Sequence, residues 1–277
     1  MLPAGIGLGL KPPHYESVLR GGHGIEWFEV HPENYMDAGG LPHRYLQAIA
    51  ADYPLSLHGL GLSLGSADGV DRAHLRRLQN LVSRYRPAQI SEHIAWSRTG
   101  GIFHHDLLPL PYCQQSLAVL CRNVDAVQTA LGCRIFLENP AAYLSFADND
   151  MAEPEFIAEL QRRTGCGLLL DLNNLHVSAT NNGFDAHAYL QAYPLHAVGE
   201  IHLAGHSVEQ LGTEQLLIDD HGSPPPEVVW QLYADVLVRL DHPPPVLLEW
   251  DTDVPPFATL CAEAARAAQI LQHRQAA

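Results

Sequence analysis

Short apolar segments of about the length of β-strands recur along the chain and alternate with longer amphipathic segments. They are nearly continuous in apolar residues rather than alternating, which is typical of parallel strands buried on both faces. There are eight such segments, at residues 5–10, 25–30, 55–58, 89–95, 134–138, 167–172, 198–203 and 246–250.

The longer segments have the periodicity of helices. Several begin with proline or with an acidic residue in the first turn, as helices prefer. They cover residues 41–53, 70–85, 111–131, 153–164, 184–193, 225–240 and 257–273. Eight strands alternating with helices predict an α/β fold, a (β/α)8 TIM barrel formed as a single domain over residues 1–277. An open doubly wound sheet is the alternative, but no G-x-G-x-x-G motif follows the first strand, so a dinucleotide site has no support.

The composition limits the possible classes of function and the cellular compartment in which the protein acts. Acidic residues outnumber Lys and Arg by 31 to 16, and the net charge of −15 disfavours nucleic acid as a partner and favours a basic partner surface. The five cysteines are scattered without a C-x-x-C motif, which excludes a cysteine-ligated zinc or iron–sulfur site and fits reduced thiols in the cytoplasm. No apolar run approaches the roughly 20 residues that span a bilayer, so we expect no membrane segment.

The predicted strands end in polar residues, although their interiors are apolar. In TIM barrels the carboxyl ends of the strands meet at one mouth, where the chemistry takes place. Burying several ionisable groups there is unfavourable unless they pair with each other or bind a metal. The residues at these ends are Glu29, His31, Glu33, Asn34, His58, Glu92, His93, Glu138, Asn139, Asp171, Asn173, Asn174, His176, His202, Glu249 and Asp251.

The loop after the seventh strand adds a D-x-H motif, Asp219 and His221. On an extended segment, residues two apart lie on one face, so we expect both side chains to face the mouth and Asp220 to point away. Imidazole and carboxylate ligands without thiolate suit iron, manganese or zinc better than magnesium or calcium. The mouth offers about nine good ligands, more than one metal uses, which favours a cluster of two or three ions.

Other catalytic signatures are missing from the sequence. There is no G-x-S-x-G elbow of a serine hydrolase and no Walker loop. Glu138 and Glu249 could form the carboxylate pair of a glycosidase, but the histidines would then be unexplained.

A more specific pattern lies in eight segments found in order from about Gly5 to Asp251: EWFEVHPENYM, YPLSLHGLGLSLGS, ISEHIAWS, LENPAAYL, LLLDLNNLHVSA, IHLAGHS, IDDHG and LLEWD. Together they resemble the multinuclear non-heme iron-dependent oxidative enzymes, the MbnB-like family of methanobactin biosynthesis. The resemblance implies a xylose-isomerase-like barrel that holds two or three irons and uses dioxygen as co-substrate. It also implies an oxidoreductase that modifies cysteine or another residue of a ribosomally made precursor peptide, often with a small partner protein that captures the peptide's leader.

The resemblance also assigns roles to residues. The metal ligands would be His58, His93, Glu138, Asp171, Asn174, His202, Asp219, His221 and Glu249. A surrounding group would orient these ligands or face the substrate: Glu29, His31, Glu33, Asn34, Glu92, Asn139, Asn173, His176, His206 and Asp251.

Two other classes share this superfold. The ordered ligands are also similar to those of metal-dependent apurinic endonucleases, where a histidine would stand in place of Asn174, although the acidic charge argues against DNA. Sugar isomerases of the superfold generally use a lysine near the metals, and Lys11 is the only lysine here. A metal-dependent hydrolase or isomerase without redox change, and a metal-binding protein without turnover, are therefore the alternatives.

Overall fold

The fold was taken from a computed structural model, which describes residues 1–276. Eight parallel strands close into a barrel in the order β1, β12, β9, β8, β7, β4, β3, β2. Ala277, the last residue of the predicted domain, lies outside the described residues. In chain order, the strands are β1 (Ile6–Gly9), β2 (Trp27–Val30), β3 (Leu55–His58), β4 (Gln89–His93), β5 (Trp96–Thr99), β6 (Ile102–Leu108), β7 (Phe136–Glu138), β8 (Gly167–Asp171), β9 (Val198–Leu203), β10 (Ser207–Leu211), β11 (Glu214–Ile218) and β12 (Val246–Leu248).

Each of the eight predicted apolar segments contains one barrel strand, which confirms the predicted fold class. The barrel closes because β1 pairs with β2 on one side and with β12 on the other. The strands are apolar on both faces because the outward face packs on helices and the inward face fills the barrel. Leu8, Leu57 and Leu137 are at most 1% exposed.

Helices surround the barrel; seven of those described lie in the intervals predicted from the sequence, whereas α1 and α6 were not predicted. Their ends carry ordinary caps: the Asp71 carboxylate accepts from the backbone N–H of Ala73 at 2.7 Å, and Gly132 and Gly165 end their helices in the left-handed conformation. They are α1 (Tyr15–Leu19), α2 (Leu41–Asp52), α3 (Arg72–Tyr85), α4 (Gln114–Leu131), α5 (Glu153–Thr164), α6 (Leu172–Asn182), α7 (Ala186–Ala192), α8 (Glu227–Arg239) and α9 (Phe257–Ala276).

None of the helices in the described part of the chain combines the length and the apolar character needed to cross a membrane.

The sequence-based boundaries were wrong after the sixth predicted strand. That strand was expected to run to Leu172, with the polar residues beyond it at its end. It stops at Asp171, and α6 begins at once. The Asp171 carboxylate causes the switch because it accepts from the backbone N–H of Asn174 at 2.6 Å and so caps the helix. Asn173, Asn174 and His176 therefore lie on the first turns of a helix.

Two antiparallel hairpins, which the sequence analysis did not predict, rise from the carboxyl end of the barrel. One pairs β5 with β6 and turns at Gly100 and Gly101, which have φ values of 57° and 79° that favour glycine. The other pairs β10 with β11 and turns at Gly212, with φ 67°. Each directly follows a barrel strand, so both hairpins border the barrel mouth.

Candidate metal centre

Three predicted ligands converge where β3, β4 and β7 end. The Nε2 atoms of His58 and His93 lie 3.0 and 3.1 Å from the same oxygen, Oε2 of Glu138. All three side chains are buried. Nδ1 of His93 donates to the backbone carbonyl of Gly59 at 3.1 Å, and Nδ1 of His58 lies 2.8 Å from the hydroxyl of Ser91. These outer hydrogen bonds turn both Nε2 atoms toward the carboxylate.

Both of these imidazoles are neutral at physiological pH. Burial lowers the pKa of His58 to about 3 and that of His93 to about 4. Since Nδ1 of His93 carries the proton given to Gly59, its Nε2 presents a lone pair to a carboxylate oxygen that has no hydrogen-bond donor. Two lone pairs facing each other at 3.1 Å repel in a dry site, and a cation between them converts the repulsion into coordination.

A second set of ligands lies between β7 and the start of α6. Asn174 donates from its side-chain amide to the other Glu138 oxygen at 3.1 Å. Oδ2 of Asp171 and Oδ1 of Asn174 are buried and have no hydrogen-bond partner. Burial and the nearby Glu138 charge raise the pKa of Asp171 well above its usual range. Such unpartnered buried oxygens beside two carboxylates match the donor set of a metal ion.

The D-x-H motif closes the opposite side of the centre through Glu249. Oε2 of Glu249 lies 3.0 Å from Nδ1 of His202 and 3.4 Å from Nδ1 of His221. Nε2 of His221 lies 2.8 Å from the carboxylate of Asp219. Burial by itself would raise the pKa of Glu249, but the two imidazoles beside it hold that pKa well below its usual range.

The motif faces the mouth for a reason other than the expected alternation. The segment is not extended at His221, which has φ 47° in the left-handed region. Asp219 is held instead by the side-chain amide of Asn173 at 2.7 Å and, through its backbone N–H, by the hydroxyl of Tyr143 at 2.9 Å. The carboxylate of Asp220 accepts from the backbone N–H of Gly222 within the turn. The structure thus brings Asp219 and His221 together, but Asp220 also lines the mouth cavity, so the expectation that it points away from the mouth is not supported.

The nine predicted ligands form one cluster, because His58, Glu138 and His202 each belong to more than one group. His, Asp or Glu ligand atoms come within 4.8 Å of one another in at least three such groups: His58 with His93 and Glu138, Glu138 with Asp171 and His202, and His58 with His202 and Glu249. Ligands shared in this way fit two or three neighbouring ions.

Several of the predicted surrounding residues hold these ligands in place. The Glu92 carboxylate accepts from the backbone N–H groups of Leu62 at 2.7 Å and His93 at 2.8 Å, which ties the loop after β3 to β4. Asn139 and Asp171 exchange two hydrogen bonds, of 2.9 and 3.0 Å, through the Asn139 side chain and the Asp171 backbone. Both interactions fix the backbone from which ligands project.

Other predicted surrounding residues lie nearer the surface. Nδ1 of His31 donates to the backbone carbonyl of His58 at 3.2 Å, and Lys11 pairs with Asp251 beside it. Glu33 accepts from the backbone N–H of Leu60 at 3.1 Å. Asn34 is exposed on a 3-10 turn, and the structure does not bring it to the cluster.

Two predicted residues support the D-x-H loop from α6 and the β10–β11 side. Nδ1 of His206 lies 2.8 Å from the side-chain carbonyl of Asn173, whose amide holds Asp219. The His176 ring packs on that of His206 with 5.2 Å between centroids.

Sequence reasoning missed Glu200, which lies beneath the cluster in the barrel interior. Glu200 is fully buried, and its Oε1 lies 3.4 Å from Nε2 of His202. Glu29 approaches the same nitrogen at 3.5 Å, and Gln89 donates to the other Glu200 oxygen. The sequence did contain a signal for this residue. Residues two apart on a strand share a face, and Glu200 precedes His202 by two residues in VGEIHL.

We predict that Glu200→Gln weakens metal binding by roughly 10- to 100-fold, the usual effect of removing a carboxylate that orients a ligating histidine. Without the carboxylate, His202 loses an acceptor that directs its other nitrogen toward Glu249. The measurement is competition between metal-free protein and a fluorescent chelator. Unchanged affinity would mean that Glu29 alone orients the imidazole.

A cavity of about 590 Å³ opens above the cluster. Its walls include ligands such as His58 and Glu249, and also Tyr143. The β5–β6 hairpin contributes a further wall that sequence analysis missed, formed by Phe103, His104, His105 and Asp106. The pair Gly100–Gly101 was the available signal for that hairpin. A polypeptide side chain can therefore reach the cluster from the solvent side.

The fold is similar to that of a xylose isomerase-like TIM barrel protein from Mycobacterium smegmatis, with a TM-score of 0.57, 12% identity and coverage of 95% of this chain and 88% of that chain. The chain is similar to a D-allulose 3-epimerase from Methylomonas sp., with a TM-score of 0.60, 14% identity and 99% coverage of both chains. It is also similar to endonuclease IV from Thermus thermophilus, with a TM-score of 0.57, 16% identity and 98% coverage of both chains. Identities this low show the fold alone.

The sequence comparison is more specific. The family model described as "RiPP precursor modification enzyme MbnB/TglH/ChrH" matches residues 5–272. A UPF0276 protein of Paraburkholderia phytofirmans is 49% identical over 268 residues, which are 96% of this chain and 87% of that protein. The chain therefore belongs to this family of enzymes that modify ribosomally made precursor peptides, which confirms the resemblance found in the sequence motifs.

Proposed function

We propose that this protein is an iron- and dioxygen-dependent enzyme that oxidatively modifies a residue, with cysteine preferred, in a ribosomally made precursor peptide. Membership of the family supports the substrate class. The donor set of imidazoles and carboxylates without thiolate fits iron, manganese or zinc, and the resemblance found in the sequence motifs favours iron among them.

One observation carries the proposal: the buried lone pair of His93 faces the unpartnered Oε2 of Glu138 at 3.1 Å. The contact is unfavourable between neutral imidazole and carboxylate, and favourable when both bind one cation. The same carboxylate also meets His58 at 3.0 Å, so His58, His93 and Glu138 together would hold the metal.

When bound, two or three irons would supply the electron-transfer chemistry with dioxygen and lower the pKa of a substrate thiol. The residues of the chain supply the rest. His58 and His93 are neutral at pH 7, so they bind a metal without first losing a proton. Glu92 and Asn139 hold in place the backbone from which ligands project.

The cavity supports a peptide substrate rather than a small sugar alone. Its volume of about 590 Å³ is in the range of pockets that hold ligands larger than a single sugar, and the β5–β6 hairpin offers the aromatic Phe103 and two histidines as contacts. A small leader-binding protein is a proposed partner, in line with the resemblance. All five cysteines are free, which supports action in a reducing cytoplasm.

We predict that protein purified without air contains more than one iron per chain and consumes dioxygen when its precursor peptide is added. Elemental analysis measures the first and an oxygen electrode the second. Stoichiometric zinc alone, with zinc-supported turnover and no oxygen uptake, would reject the oxidative function.

The position of Lys11 supports a second candidate function, that of a metal-dependent hydrolase or isomerase without redox change. Its ammonium group pairs with Asp251 at the mouth, where a lysine could polarise a substrate oxygen. The two functions separate in the same experiment, since hydrolysis or isomerisation proceeds without dioxygen.

A further inference from the structure

The outward face of α3 concentrates positive charge on a chain that is otherwise strongly acidic. Residues 72–86 contain five arginines and no acidic residue, whereas the whole chain carries 31 acidic residues against 16 Lys and Arg. All five are exposed. We call this surface the α3 arginine face: Arg72, Arg76, Arg77, Arg84 and Arg86.

Like Arg20, Arg44 and Arg239 elsewhere on the surface, these five arginines form no ion pair within the described residues, but they are concentrated within residues 72–86. Within residues 1–276, no ion pair includes any of the five, although Arg163 pairs with Glu159 at 2.7 Å and Arg266 pairs with Glu227 at 2.5 Å. Arg84 makes a long contact, 3.4 Å, to the backbone carbonyl of Ala38, and its guanidinium lies over the Tyr85 ring at 5.3 Å from the ring centre. Like charges one turn apart weaken a helix by a few tenths of a kcal/mol. Folding therefore does not account for five unpaired cations on one helix.

The α3 arginine face begins beside the mouth cavity. His74, in the first turn of α3, lies 3.2 Å from the carboxylate of Glu33, which lines that cavity. From Arg72 to Arg84 the helix rises about 18 Å, at roughly 1.5 Å per residue. An extended peptide of about five or six residues covers that length. One peptide can thus contact the cavity and the arginines together.

We propose that the α3 arginine face binds an acidic segment of the precursor peptide while the residue to be modified occupies the mouth cavity. This inference rests on the proposed function. Carboxylates of the peptide would pair with the guanidinium groups, which favour bidentate contacts. A nucleic acid fits less well, because its phosphates would extend past a short basic strip onto an acidic surface.

The test uses a synthetic probe with about six glutamates, a glycine–serine spacer and one cysteine, and a comparison peptide in which glutamine replaces glutamate. Fluorescence anisotropy measures the dissociation constants for the full-length protein. The variant Arg72→Gln/Arg76→Gln/Arg77→Gln tests the face. The variant Arg20→Gln/Arg162→Gln/Arg239→Gln changes the net charge equally at exposed sites elsewhere, and glutamine keeps the helix propensity of arginine.

We expect the wild type to bind the glutamate probe more tightly than the glutamine peptide. The α3 variant should weaken that binding about tenfold, since each exposed pair contributes roughly two-fold, and the control variant should weaken it much less. The difference should shrink as salt rises to about 0.15 M. Equal binding of both peptides, or equal loss in both variants, would overturn the inference. So would α3-dependent binding of a single-stranded DNA oligomer that exceeds binding of the glutamate probe.

Iron content and oxygen uptake, measured on the same α3 variant, separate this inference from the proposed function. Because the face lies outside the metal cluster, both should match the wild type. If α3-dependent binding holds but no iron or oxygen chemistry is found, the docking surface stands and the oxidative function fails. If the chemistry holds and the binding difference is absent, only the docking surface is rejected.

Discussion

Glu138→Gln should abolish turnover and lower metal affinity by more than about 100-fold, the upper range for losing an outer partner of a ligand. Glu138 offers one oxygen to both His58 and His93, at 3.0 and 3.1 Å, so its loss removes the carboxylate that both imidazoles face. Glutamine keeps the volume, and its carbonyl oxygen can still accept from Asn174. Metal content by elemental analysis and turnover with the precursor peptide measure the effect.

The stability of the metal-free protein distinguishes this result from misfolding. Burial raises the pKa of Glu138, so its charge at pH 7 destabilises the metal-free fold, and a neutral glutamine should unfold at the same temperature or higher. Glu153→Gln is the matched control. Burial raises the pKa of Glu153 to about 7, as burial raises that of Glu138, but Glu153 lies at the start of α5 and outside the cluster, so this variant should keep its metal. Full metal content in Glu138→Gln would show that this carboxylate is not a ligand.

Asp219→Ala and His221→Ala should each lower metal content and reduce turnover by at least about 100-fold, whereas Asp220→Ala should reduce it only a few-fold. The Asp219 carboxylate contacts His221 at 2.8 Å, and His221 contacts Glu249 at 3.4 Å. Asp220 instead accepts a hydrogen bond inside the turn. Metal analysis and single-turnover rates with the precursor peptide check the order of the three variants.

The left-handed backbone at His221 calls for one more variant. Alanine is strained at φ 47°, so His221→Ala could disturb the loop as well as remove the imidazole. Asparagine tolerates that conformation, and His221→Asn should lose metal to the same extent. Two results would contradict the assignment of this motif to the cluster. One is full metal content in His221→Asn, and the other is an equal loss of turnover in the Asp219, Asp220 and His221 variants with metal content unchanged.

Periodicity in the sequence determined the barrel and most of the cluster. Near-continuous apolar runs mark strands buried on both faces, and eight of them leave few arrangements other than a closed parallel barrel. Because parallel strands deliver their carboxyl ends to one mouth, His58, His93 and Glu138 were predicted to meet without any knowledge of their distances. Alternation along a strand would also have identified Glu200, had it been applied to β9.

Tertiary structure decided what depends on a single hydrogen bond or on one backbone angle. Asp171 ends its strand because its carboxylate caps α6, and an apolar run alone does not distinguish the last residue of a strand from a helix cap. His221 meets Asp219 through a left-handed turn that Asn173 and Tyr143 hold, and Asp220 lines the mouth cavity as well, so local alternation did not predict the arrangement of this loop.

Two surface features could be recognised only from the tertiary structure. The β5–β6 hairpin forms a wall of the cavity because its strand of origin, β4, ends at the mouth, which no local pattern of Phe103 or His104 specifies. The five arginines of the α3 arginine face were visible in the sequence, but their lack of acidic partners was not, since ion pairs can also form between segments far apart in the chain. Periodicity is local and fixes which face of an element is buried, whereas contacts between elements are set only when the barrel closes.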